Sequence, residues 1–405
     1  MLPCRPPPPP CYAWSPSPCR GGSAYGTTTR PGGRCSDATR RPPADGRRAD
    51  AVTTSRLQAP RLLAVGTAVP DHDIHAAFAD WARARLPDGA RRVFDRMAGR
   101  SGIAHRWSVL PAGCSPVAPG GFYEAEPHPG TGARMALYAQ AAPALALAAV
   151  RALEARQPIG DVTHLVVASC TGFVAPGIDQ ILARALDLPG SVERTLIGFM
   201  GCYAAVAALR TARHIVRSEP AARVLVVTVE LSTLHLQAAD EIEPLLAMLQ
   251  FGDGAAAAIV SAEGDGVPLG RPFSVTLPAS DALIRWDITD RGFAMHLSGE
   301  VPQRIAAALA DPATVAAITG GERVDGWAVH AGGRSILDAV ETALALDPHA
   351  LDASRAVLRD NGNMSSATLM FVLARMLETP PARGVALAFG PGLAAEGIAF
   401  GTEAA

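Results

Sequence analysis

Lysine is missing from this chain of 405 residues, in which all 36 basic residues are arginine. Without lysine there is no Walker phosphate loop and no side-chain amine for a Schiff base, which excludes P-loop nucleotide hydrolysis and pyridoxal chemistry. Charge is scarce too. Charged residues make up 18% of the chain and the formal net charge is -2, so neither a polyanion-binding surface nor a nucleic-acid partner is expected. The seven cysteines, at 4, 11, 19, 35, 114, 170 and 202, are odd in number and never spaced Cys-x-x-Cys. That argues against a disulfide framework or a structural zinc, and for a reducing cytoplasm. Long apolar runs are also wanting: the Ala-rich stretch from Ala136 to Val150 is too short and too weakly apolar to cross a bilayer, so no membrane insertion is expected.

Proline is plentiful at one end. Residues 1 to 50 hold 11 of the 34 prolines, with 8 Arg against 3 Asp and no apolar period, the composition of a chain that cannot bury enough surface to fold. Residues 1–55 therefore read as a disordered Pro/Arg-rich extension, in which interspersed Pro and Gly would break an amphipathic targeting helix. From Leu57 on, short apolar strands alternate with small-residue loops and amphipathic helices, the grammar of an α/β fold. Strands are predicted at His164–Ser169, Arg223–Val229, Ala255–Val260, Gly326–His330 and Val385–Phe389, most as unbroken apolar runs that need both faces covered. Helices are predicted over Ala133–Arg156, with a kink at Pro143, and over Ile178–Leu186, Ala204–Arg217, Arg334–Leu346 and Ser366–Leu377. The polar, Gly-rich stretch from Ala262 to Arg271 divides an N-terminal lobe, 56–265, from a C-terminal lobe, 266–405.

Three segments carry polar residues at the ends of these elements. In Phe199-Met200-Gly201-Cys202-Tyr203-Ala204-Ala205 the thiol of Cys202 stands at the start of a helix, where the helix dipole and free amide groups lower its pKa and favour thiolate. A small buried cysteine would read the same way. His330 follows an apolar strand in Trp327-Ala328-Val329-His330-Ala331-Gly332-Gly333, and Asn363 lies in a turn opening a helix, Asp360-Asn361-Gly362-Asn363-Met364-Ser365-Ser366-Ala367. Taken singly they suit a satisfied core histidine and a turn former. Jointly they complete a Cys, His, Asn set.

With Phe251-Gly252-Asp253-Gly254-Ala255 and Phe389-Gly390-Pro391-Gly392 added, five ordered motifs resemble those of type III polyketide synthases, the chalcone synthase-like family of thiolase-fold condensing enzymes. The resemblance covers most of residues 57 to 405 and implies a thiolase-like fold, two similar lobes in an αβαβα arrangement, assembled as a homodimer. It implies Cys202, His330 and Asn363 as catalytic residues, acyl-CoA and malonyl-CoA as substrates, and no metal or other cofactor. Phe251 matches the family's gate phenylalanine, and Met295 stands where many plant members carry a second one. Cys170, Ala175 and Trp286 replace Thr, Met and Gly of plant cavities, a pattern that looks bacterial; Thr171 and His235 complete the substrate-binding set. Arg92, Arg96 and Arg100, four residues apart, fall on a predicted helix whose family counterpart contacts CoA phosphates. A solvated basic face is the other reading of that helix.

The reaction implied is iterative decarboxylative Claisen condensation of malonyl-CoA onto an acyl starter held on Cys202, followed by cyclisation to an alkylpyrone or alkylresorcinol-type product. Met295 and Ala175 favour a medium- or long-chain fatty acyl starter over an aromatic one. Alternatives are a ketoacyl synthase III-like enzyme using acyl carrier protein, a papain-like cysteine hydrolase, and a thiolase-fold binding protein without activity. The hydrolase lacks support, since no Cys-Trp nucleophile signature is present.

Overall fold

A computed structural model describes residues 59–110, 116–125, 128–237 and 239–403. The expected extension, and five of the seven cysteines, lie outside the described residues. The predicted strands are present at His164–Ser169, Arg223–Leu231, Asp253–Ser261, Gly326–Val329 and Gly384–Gly390. They belong to one nine-stranded sheet that runs Gly326–Val329, Gly384–Gly390, Ala394–Phe400, Val267–Thr276, Arg61–Ala68, Asp253–Ser261, Arg223–Leu231, His164–Ser169, Glu193–Gly198. Pairing is parallel at the two ends and antiparallel between them.

Side chains on a strand alternate between faces, and here the alternation sorts the strands' residues into separate cores. Val224 and Val226, with Ala256, Ala258, Ala386, Ala388 and Ile398, face a central core. Their neighbours Leu225, Val227, Ala257 and Ile259 face a second core, and Trp327, Val329, Val385 and Leu387 face a third. Helices Ala204–Ser218 and Ser366–Met376 fill the centre and touch strands of both halves of the sheet. Thr131–Glu154 covers one outer face; Val301–Leu309 and Arg334–Ala343 cover the other. The result is five layers, αβαβα.

The polar stretch after Ser261 ends where strand Val267–Thr276 begins, and the pairs Arg61↔Pro268 and Leu62↔Val267 join the two halves of the sheet there. Thr131–Glu154, which continues through Pro143, is long and apolar enough to span a membrane by length and composition. Its Tyr138, Ala142, Ala146, Ala149, Val150 and Leu153 are instead spent on the second core, which gives its apolarity a packing cause.

Candidate active site

Cys202 lies in a single tight turn, Gly201–Tyr203, that runs into helix Ala204–Ser218. Gly201 has φ +76°, and a Cβ there would lie 2.3 Å from Cδ of Pro391, so only glycine lets the Phe389–Gly392 segment close over the nucleophile turn. The Gly201 amide donates to Sγ of Cys170 at 2.9 Å. Burial pushes the Cys202 thiol up to about 12, and Glu230 pushes the same way, against the side chains of Ser365 and Asn363 and the residue's own amide, which pull it down. The pull toward thiolate expected from the helix start and its amides is thus opposed by the desolvation of a buried sulfur.

His330 follows strand Gly326–Val329, its backbone pinned by an amide donating to the Leu387 carbonyl at 2.8 Å. The residue is 2% exposed, and neither ring nitrogen has a hydrogen-bond partner among the described residues. Burial holds its pKa down to about 3. Asn363 stands in the turn between helices Asp352–Asn361 and Ser366–Met376. Its backbone bridges to the segment before the central strand, donating to Gln250 O at 2.8 Å and accepting from the Gly252 amide at 3.0 Å. Its Nδ2 donates to Gly332 O at 3.2 Å and its Oδ1 accepts from the Ser365 amide at 2.9 Å. The His330 ring lies against Gly332, where a Cβ would meet Cδ2 at 3.4 Å and Nε2 at 3.5 Å. Asn363 thus touches the surroundings of both Cys202 and His330, and three segments far apart in sequence meet at one place.

A chamber of about 90 Å³ opens beside them, lined by Cys170, Phe199, Cys202, Ile284, Ser365 and Pro391. A smaller one of about 50 Å³ adjoins it, lined by His235, Leu236, Pro244, Ala247, Met248 and Phe293. Ser232, Phe251, Trp286 and Met295 face both and form the neck between them. Trp286 and Met295 are opposite each other on the hairpin Ile284–Thr289, Gly292–Leu297. Oγ of Ser232 and Nε1 of Trp286 are buried without partners among the described residues.

Cys202, Cys170, Phe251, Trp286, Met295 and His235 line the chambers, while Asn363, which reaches Cys202, and His330, beside Gly332, line neither. His235 is a wall and not a donor to substrate: Nε2 is bonded to Thr171 O at 2.7 Å, Nδ1 accepts the Phe293 amide at 3.0 Å, and the ring stacks on Phe293 at 4.2 Å. Burial lowers its pKa to about 4. Thr171 is not in either lining. Its hydroxyl donates to Glu230 at 2.9 Å and accepts the Leu231 amide at 2.8 Å, so it supports the wall from behind. Ala175 is exposed on the loop before helix Ile178–Ala185 and lines neither chamber. Arg92 and Arg96 are exposed on helix Asp88–Gly99, with Arg100 just past its end, and also line neither. Sequence reasoning missed Ser232, Ser365 and Glu230. The last is fully buried, its carboxylate bonded to Thr171, the Cys170 amide and Ser366, and burial raises it to about 7.

A five-layered αβαβα sandwich with a cysteine at a chamber wall, and a buried asparagine and histidine behind it, defines a thiolase-like condensing enzyme. Residues 48–264 match the family described as chalcone and stilbene synthases, N-terminal domain, and residues 272–402 match its C-terminal domain. The chain belongs to the chalcone and stilbene synthase family, the type III polyketide synthases, which are CoA-dependent acyltransferases. It is 37% identical over 297 residues to bisdemethoxycurcumin synthase of Oryza sativa subsp. japonica, spanning 67% of this chain and 73% of that one. It is 35% identical over 251 residues to the alpha-pyrone synthesis polyketide synthase-like Pks18 of Mycobacterium tuberculosis, spanning 58% of this chain and 64% of that one. Among solved structures it resembles PKS-I from the brown alga Ectocarpus siliculosus, with a TM-score of 0.75, 29% identity, and coverage of 85% and 98% of the two chains. The C-terminal type III polyketide synthase domain of Steely1 from Dictyostelium gives a TM-score of 0.78 at 26% identity, with coverage of 85% and 99%.

Proposed function

We propose that Cys202 carries the acyl starter, and that His330 and Asn363 bind the thioester oxygen of malonyl-CoA while it loses carbon dioxide. In loading, the Cys202 thiol gives its proton to His330, the sulfur attacks the acyl-CoA carbonyl, and CoA leaves as its thiol after taking the proton back. Malonyl-CoA then releases carbon dioxide, and the electron pair of the broken bond becomes the enolate of an acetyl thioester. Donors at His330 and Asn363 stabilise the enolate oxygen. The enolate carbon attacks the acyl-Cys202 carbonyl and expels the sulfur, leaving an acyl chain two carbons longer on CoA. Decarboxylation supplies the carbanion, so the scheme calls for no metal, no other cofactor and no added base.

The observation that carries this reading is His330. A buried imidazole with two unpartnered nitrogens incurs a desolvation cost that no hydrogen bond among the described residues offsets, and it packs beside Gly332, the residue whose carbonyl accepts from the Asn363 amide. Substrate oxygen is the partner such a group is built to receive.

The relative from Mycobacterium tuberculosis bears alpha-pyrone synthesis in its name, which supports a pyrone-type product here. The long-chain starter favoured by the sequence fits the space poorly. The chamber at Cys202 is about 90 Å³, smaller than the roughly 150 Å³ apolar cavity that admits benzene. A short aliphatic acyl-CoA is the starter we propose, with longer tails requiring Trp286 and Met295 to swing aside. Arg92, Arg96 and Arg100 are assigned to the phosphates of CoA, 56–265 and 266–405 to the two lobes, and the cytoplasm to the enzyme. A homodimer is assigned to the exposed edge strand Glu193–Gly198, with Ala175 near the contact. Radiolabelled malonyl-CoA offered with acyl-CoAs of graded length, and separately as malonyl carrier protein, tests the reading, with products identified by mass. Carbon dioxide release from malonyl-CoA and a pyrone from short starters are expected. Activity confined to the carrier-protein form would replace the assignment with a ketoacyl synthase, and acylation that survives Cys202→Ala would end it.

A further inference from the structure

Several ionisable groups are fully buried outside the catalytic set, and one of them, Arg106, borders it. Arg106 is 0% exposed, and its side-chain hydrogen bonds go to no carboxylate: Nε donates to Nδ1 of His75 at 3.0 Å, and Nη1 donates to Met248 O at 3.0 Å and to Phe251 O at 2.8 Å. The guanidinium lies 4.6 Å from the ring centroid of Phe78. Its stem occupies the space that Gly362 leaves open, with Cγ 2.9 Å from where a Cβ would stand, at a residue whose φ is +68°. Desolvation lowers its pKa to about 9, so it stays protonated at neutral pH.

A desolvated guanidinium is costly even with Asp73 and Asp253 near enough to favour its charge, since neither carboxylate is hydrogen-bonded to its side chain, and its contacts show where that cost is directed. Phe251 and Asn363 form a short parallel bridge, in which the Gly252 amide donates to Asn363 O and the Asn363 amide donates to Gln250 O, and Gly362 stands just before Asn363. Phe251 projects into the neck of the chambers, and Asn363 presents its amide beside His330. Resting on the synthase reading above, we propose that Arg106 is a positioning residue, which fixes the Phe251 and Asn363 segments against each other and so sets the geometry of the decarboxylation site. The Cys202 backbone is held by another segment, through Gly201, Cys170 and Pro391, and only the side chains of Asn363 and Ser365 link its sulfur to this one. His75 is the outer prop of the device, accepting the Nε proton as a neutral imidazole, with burial holding its own pKa down to about 4.

The test compares the full-length protein with Arg106→Gln, Arg106→Lys and His75→Ala. Three quantities are read: malonyl-CoA decarboxylation, capture of Cys202 by iodoacetamide, and the thermal midpoint. A misplacement of about 1 Å can cost about 100-fold in rate, so Arg106→Gln should lower kcat for decarboxylation by roughly 10- to 100-fold. KM for malonyl-CoA should stay within about twofold, and the alkylation rate should change far less than kcat. Arg106→Lys, which restores a donor, should recover part of the loss. If Arg106→Gln does not fold, His75→Ala leaves both carbonyl contacts in place and should still lower decarboxylation by about threefold with alkylation unchanged. A parallel fall of decarboxylation, alkylation and thermal midpoint would show a merely structural role and overturn the inference, as would variants equal to wild type. A wild type that leaves malonyl-CoA intact would sink the synthase reading and this inference with it.

Discussion

At the scale of single residues, the proposed chemistry turns on a proton that Cys202 passes to His330. Burial drives the thiol up to about 12 and the imidazole down to about 3, so each resists ionising alone. Moving the proton from sulfur to nitrogen leaves the pair neutral overall, and the pair holds one proton at every pH between those two values. Alkylation of Cys202 in the wild type should therefore be nearly flat from pH 6 to 9. In His330→Gln the thiol titrates alone toward a high pKa, and alkylation should rise about tenfold per pH unit over that range. A sloping wild-type profile in an iodoacetamide assay would refute the shared proton. His330 also separates function from stability. Removing one donor of an oxyanion site costs about 100- to 1000-fold in rate, yet both nitrogens are unsatisfied in the fold. His330→Phe should abolish decarboxylation while leaving the thermal midpoint unchanged or higher, as read by calorimetry.

At the scale of elements, the edge strand Glu193–Gly198 is exposed along most of its length and Leu196 is 49% exposed, close to Phe173 at 48%. An open edge beside an apolar pair invites pairing with a second copy. Leu196→Asp should lower the dimer fraction in analytical ultracentrifugation and leave the monomer folded by circular dichroism. The hairpin carrying Trp286 and Met295 governs the chambers: Trp286→Ala should merge them and shift the accepted starters toward longer acyl chains in a competition assay. Legibility in the sequence followed burial. Strands with both faces covered, such as Arg223–Leu231, announced themselves as apolar runs, and so did helices with a strong apolar stripe. Edge strand Glu193–Gly198 has too few apolar residues for that, and in Arg61–Ala68 the signal is broken by Gly66, which is needed because a Cβ there would lie 2.1 Å from the backbone of Leu153. In the site, the Cys, His and Asn were legible because each follows a glycine turn or strand end. Glu230 was not singled out, although an acid closing the run Val224–Val229 was a visible signal. The neck residues Phe251, Trp286 and Met295 were legible only through the family resemblance, and Ser232 and Ser365 not at all, since a lining depends on which ends of distant elements converge.

At the scale of the whole molecule, buried titratable groups pull stability in opposite directions with pH. His75, His235 and His330 have folded values of about 4, 4 and 3, below the roughly 6.5 of an unfolded histidine. The unfolded chain therefore takes up protons first on acidification, and this contribution to stability is lost as pH falls from about 6.5 through those values. Glu230 and Asp253, both fully buried, are raised to about 7. The folded chain holds these two protons longer, so their contribution is present below about pH 4 and lost as pH rises through 7. Three groups against two leave a net loss of stability on the acid side, while only the acids titrate between 6.5 and 7. The thermal midpoint should accordingly be highest near pH 6.5, fall gently to pH 7 and stay level just above, and fall further toward pH 4. The variants assign the limbs: His330→Phe should flatten the acid side, and Glu230→Gln should remove part of the drop approaching pH 7. A midpoint that climbs steadily from pH 6 to 8 would mean that the two carboxyl groups are not raised by burial, and that the Glu230 network behind Cys170 is charged in the resting enzyme.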